Sequence, residues 1–122
     1  MENRLNLLCE AGVIDRDIRD GMVRVVSRMA QEWGLPVFTE QGEMAVTHMA
    51  NALMRSRRGD VIAPLDAELY DELVQSPHWQ AILQTHHLLL GEFSVELHTA
   101  EEGYLLANLY GLWMAGQEAA QR

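Results

Sequence analysis

The stretch Glu40–Asp60, EQGEMAVTHMANALMRSRRGD, decides the reading of this chain. It is rich in Ala, Met, Leu and Arg and carries no Gly or Pro between Glu43 and Arg58, a composition that predicts one helix. Thr39 stands before it as an N-cap, and Glu40 and Glu43 fall in the first turn, where carboxylates suit the helix dipole. Arg55, Arg57 and Arg58 fill the last turn and Gly59 supplies the stop. At helical spacing Met44, His48, Ala52 and Arg55 share one face. An imidazole and a guanidinium therefore lie on the same side, about two turns apart.

Similar punctuation organises the rest. Glu2–Ala11 reads as a short helix with Leu5, Leu8 and Cys9 on one side, ended by Gly12. Asp15 caps a segment running to Trp33, in which Ile14, Ile18, Met22, Val25, Met29 and Trp33 recur every three or four residues. Gly34 and Pro36 close it. Gly21, inside that segment, costs about 1 kcal/mol relative to Ala. After a connector containing Pro64, Asp66 caps a short helix with Leu69, Leu73 and Val74 on its apolar side. Ser76-Pro77 is an N-cap with Pro at the first helical position, and the helix it opens carries Trp79, Ile82, Leu83, His86, Leu89 and Leu90 as far as Gly91. Thr99 and Glu102 form the capping box of a last helix to about Ala115, with Leu105, Leu109 and Leu112 on one face. No segment alternates with period two. The expectation is an all-α bundle of five or six helices in one domain, residues 1–122.

Composition narrows the function. The chain has 122 residues, 48% of them hydrophobic, and a net charge of −9. All nine basic residues are Arg, so a phosphate-loop lysine and a Schiff-base lysine are excluded. Eight of them lie in residues 1–60, and the half beyond carries one Arg against nine acids. No basic face for phosphates emerges outside Arg55–Arg58, which argues against direct nucleic-acid binding. A single cysteine, Cys9, rules out an intrachain disulfide. No secretory leader or membrane span is evident at the start, MENRLNLLCEAG, or beyond, so the expectation is a cytoplasmic protein.

Metal and catalytic motifs are missing. His86 and His87 are adjacent, which on a helix points them about 100° apart. No H-E-x-x-H, C-x-x-C, G-x-S-x-G or Gly-rich phosphate loop occurs. No cofactor, metal or enzymatic activity is expected, and His86 reads as a satisfied core or interface histidine.

The segment THMANALMR, Thr47–Arg55, resembles the histidine motif of the PTS-regulation domain (PRD) of bacterial antiterminators and activators, in which an Arg follows the His by seven residues. His48 and Arg55 keep that spacing. The segment LHTAEEGYLLANL resembles the family's second motif, with Leu97, Glu101, Gly103 and Tyr104 matching. His98 stands where that motif has Pro, and Asn108 where it has a second phosphorylatable His. The two segments are about fifty residues apart, as within a single PRD. The resemblance implies a helical, non-enzymatic regulatory module of the sugar phosphotransferase system. It implies phosphorylation of His48 by the phosphocarrier HPr or an enzyme II component, and supporting roles for Arg55, Glu101, Tyr104 and Asn108. A homodimer is implied as well, acting on transcription or antitermination through a partner because no attached nucleic-acid-binding domain is evident. Two other readings stay open: a helical protein-binding scaffold that has lost phosphorylation, and a small-molecule sensor using the Met- and Trp-lined interior.

Overall fold

The computed structural model describes residues 1–120 and contains six helices. They are α1 (Glu2–Glu10), α2 (Arg16–Glu32), α3 (Glu40–Arg58), α4 (Ala67–Val74), α5 (Trp79–Leu90) and α6 (Thr99–Ala120). No strand occurs among the described residues, as the absence of period-two patterning predicts. None of the described helices is long and apolar enough to cross a membrane.

Helix α6 organises the bundle. It packs against α3, α4 and α5, while α2 joins α1 to α3. The core combines the faces that periodicity marks, Ile18, Met22, Val25 and Met29 from α2, Ile82 and Leu89 from α5 and Leu105, Leu109 and Leu112 from α6, with Val46, Ala50 and Leu53 of α3 and Leu106 of α6, which it did not mark. Fully burying one such side chain contributes roughly 1.5–3 kcal/mol. Gly21 in α2 lets the Phe93 ring pack directly on the helix backbone, which accounts for a residue that otherwise weakens the helix.

The ends of α3 follow the sequence closely. The Thr39 hydroxyl accepts from the Gly42 N–H at 3.1 Å, and Gly59 turns left-handed at φ 78° so that its N–H and that of Asp60 close onto the last turn. Elsewhere the caps differ. Asp15 precedes α2 without capping it by its side chain, because its carboxylate accepts from Arg57 at 2.7 Å instead. Helix α5 begins at Trp79, two residues later than Ser76-Pro77 predicts; Ser76 Oγ accepts from the His78 N–H and holds a turn in between. Helix α6 continues five residues past Ala115, to Ala120.

Gly42 sits where α3 leaves the Pro36–Val37 turn. A Cβ added there would overlap the carbonyl oxygens of both Val37 and Pro36, and backbone oxygens cannot swing aside as a side chain can. Gly42→Ala is therefore expected to lose about 1–3 kcal/mol despite Ala's better helix propensity. Gly116→Ala, where a Cβ would meet only ordinary contacts, is expected to be neutral or to gain up to about 1 kcal/mol. Urea midpoints of the two variants check the contrast.

Candidate functional site

Helix α3 lies between α2 and α6, and this placement divides the face that spacing had made uniform. Ala52 is buried against the core, Arg55 is half-buried, and Met44 and His48 are exposed. The Arg55 guanidinium reaches across to α6 and grips Glu101 in a fork: Nε donates to Oε2 at 2.7 Å and Nη2 to Oε1 at 3.0 Å. Glu101 is 1% exposed. A carboxylate so buried needs a partner for its charge, and the bidentate guanidinium satisfies both oxygens. The two sequence motifs thus meet in one ion pair that ties the C-terminal half of α3 to the first turn of α6.

The other motif residues are placed apart from it. The Tyr104 hydroxyl donates to the Pro64 carbonyl at 3.4 Å and so turns towards the connector between α3 and α4. Asn108 is half-buried and lines a small internal cavity together with Met49, His86 and Leu112. The cavity holds about 30 Å³, room for no more than one or two waters. His98 takes over the cap of α6: its Nδ1 accepts from the Ala100 N–H at 3.0 Å, while its own N–H donates to Ser56 Oγ at 3.0 Å. The Thr99–Glu102 capping box is thereby superseded. Helix α6 starts at Thr99 itself, so the position before it, where a cap acts, falls on His98, and Glu102 is free to face α5.

There it meets His86. This imidazole is 4% exposed, its Nε2 has no hydrogen-bond partner, and that atom lies 3.7 Å from Glu102 Oε1. Burial first, and neighbouring His87 second, push its pKa down to about 4, so the ring is neutral near pH 7. The expectation of a satisfied core histidine is corrected: the residue is buried as its apolar face predicts, but the nitrogen is unpaired. The His87 ring lies 5.3 Å from that of His86, tilted by 60°. One ring nitrogen of each histidine and one Glu102 oxygen lie within 4.8 Å of one another. Adjacent helical histidines diverge at Cα, but the side chains converge around a third group supplied by α6. Cys9 of α1 is half-buried and packs against the core.

Over 118 residues, 97% of this chain and 98% of the relative, the sequence is 66% identical to the protein named Uncharacterized protein YhfY of Escherichia coli K12. The chain belongs to the YhfY family. A protein of Haemophilus influenzae Rd is 30% identical to this YhfY-family chain over 99 residues, covering 81% of it and 79% of the relative. No protein-family model matches the sequence, and no solved structure matches it.

Within this YhfY-family chain, sequence reasoning found Arg55 and Glu101 separately and missed their union. It also set aside His86 and His87 as a metal pair because adjacent helical residues diverge, and it did not join Glu102 to them, since that proximity depends on the packing of α5 against α6. The only signal for it in the sequence was a histidine on an otherwise apolar helix face.

Proposed function

We propose that the chain is a non-enzymatic regulatory module of PRD type, phosphorylated on His48 by a phosphohistidine donor such as HPr or an enzyme II component. The observation that carries this reading is the bidentate pair between Arg55 and Glu101. It supports treating the two motif segments as parts of one functional unit rather than as unrelated matches. His48 is exposed on the same helix, where a donor protein has access to it. In the transfer, a lone pair of the neutral His48 ring attacks phosphorus as the P–N bond of the donor breaks. The His48 ring releases a proton to solvent and the donor ring takes one up. The product carries added negative charge and strong acceptor oxygens.

Arg55 already holds Glu101, and leaving it would strand a buried carboxylate. In this reading Arg55 therefore keeps α3 in register with α6, and the phosphate on His48 acts outward. A partner surface or a second copy of the chain is its target, with exposed Met44 one turn away and transcription or antitermination as the output. Asn108, half-buried beside the cavity, is an amide and accepts no stable phosphoryl group, which leaves a single input. The sensor reading is disfavoured by the size of the cavity, too small for an organic ligand. The scaffold reading is the outcome if no phosphate is taken up.

Incubation with phosphorylated HPr, followed by mass spectrometry under conditions that preserve phosphohistidine, tests this. One phosphate on His48 is expected, lost in His48→Ala and retained in Asn108→Ala. Phosphate on another histidine, or none from a competent donor, would remove the proposal.

A further inference from the structure

We propose that His86, His87 and Glu102 form a binding site for a divalent first-row transition cation, joining α5 to the first turn of α6. The proposal is independent of the His48 reading.

The donor set is two imidazoles and a carboxylate, whose ligand atoms already lie within 4.8 Å of one another. Zinc bonds of about 2.0–2.1 Å hold neighbouring donors of a tetrahedral site about 3.3 Å apart. The closure required is therefore small, and it falls on the side chains able to make it. His87 is exposed and Glu102 half-exposed, so both can turn about their side-chain torsions. His86 is held by the core and supplies the fixed ligand, and its Nε2 is buried without any partner while lying 3.7 Å from Glu102 Oε1. A buried ring nitrogen left unpaired is uncommon, because each such group loses its bond to water without replacement. A cation bridging it to Glu102 removes that deficit.

Charge and chemistry select the ligand class. One anionic and two neutral donors leave a net positive metal site on a chain whose net charge is −9, so binding meets no long-range repulsion. Imidazole nitrogen suits zinc and its first-row neighbours, whereas magnesium and calcium take oxygen donors. Three protein ligands leave at least one coordination position, reached from the solvent side where His87 lies. The mechanical consequence is specific. Glu101 and Glu102 are consecutive, so the same turn of α6 is tied to α3 through Arg55 and to α5 through the cation. Metal occupancy thus sets how firmly the start of α6 is held.

Calorimetric titration of chelator-treated protein with Zn²⁺ tests the site, with Co²⁺ absorption reporting nitrogen coordination. One Zn²⁺ per chain is expected, with a rise in Tm on binding and no competition from Mg²⁺. His87→Ala and Glu102→Gln, both at solvent-accessible side chains and checked for folding by circular dichroism, are each expected to weaken binding by more than about 10-fold, since loss of even an outer partner of a ligand costs roughly 10–100-fold. Together they are expected to abolish it. His78→Ala, which lies outside the cluster, is expected to bind as the parent does. Zn²⁺ bound equally well by the double variant, or no stoichiometric binding by the parent, would overturn the proposal.

Discussion

Arg55→Ala is expected to destabilise the fold by about 3–5 kcal/mol, the cost of leaving one member of a buried ion pair without its partner. Glu101 is the reason. At 1% exposure it has almost no access to water, and its two oxygens accept from Arg55 alone among the hydrogen bonds described for it. Half-buried Arg55 has the easier fate when Glu101 is removed, because its guanidinium can turn towards solvent. Glu101→Ala is therefore expected to cost less than Arg55→Ala, although both break the same contact. The double substitution Arg55→Met with Glu101→Leu replaces the charges by apolar groups of similar volume and is expected to recover most of the loss, since such replacements are often neutral or better. Urea denaturation of the four proteins compares these losses. If Arg55→Ala loses less than about 1 kcal/mol, the pair behaves as an exposed salt bridge and does not anchor α6.

The second large effect is a pH dependence centred on His86 in metal-free protein. In the unfolded chain this imidazole titrates near its ordinary 6.5; in the folded chain burial holds it to about 4. Between those values the unfolded state binds a proton that the folded state does not, so stability falls as pH falls through this window. The loss reaches at most about 3 kcal/mol by pH 4, at 1.36 kcal/mol per pH unit. His87 on the same helix opposes protonation of His86. Half-exposed Glu102 on α6 lies 3.7 Å from Nε2 and favours it, while neutral Asn108 borders the same cavity. The Arg57 guanidinium holds Asp17 below its usual 3.8, so that carboxylate contributes only at lower pH. Unfolding free energies at pH 7 and pH 4.5 are expected to differ more for the parent than for His86→Leu, which lacks the titrating group. Equal slopes in the two proteins would show that His86 does not control acid stability.

Much of the fold was legible in the sequence, and particular residues show why. Apolar spacing marked α2, α5 and α6, composition marked α3, and Thr39 and Gly59 fixed the ends of α3, because helix propensity, periodicity and capping are decided by residues within one or two turns. The same locality explains the errors. Asp15 and Thr99 are each sound N-caps by residue type, yet contacts across the bundle decide which groups cap α2 and α6. Arg57 draws Asp15 away from α2, and His98, held by Ser56 of α3, caps α6 in place of Thr99.

The candidate sites divide along the same line. By itself the sequence determined an all-helical chain, the exclusion of lysine chemistry, and the placement of His48 and Arg55 on one helix. Only the tertiary structure decided that Arg55 clasps Glu101, that His48 faces outward, and that His86, His87 and Glu102 converge. Periodicity states which residues share a helix face. Which charged or polar groups meet across two faces depends on how the helices are rotated and shifted against each other, and that is set by the fit of the whole core.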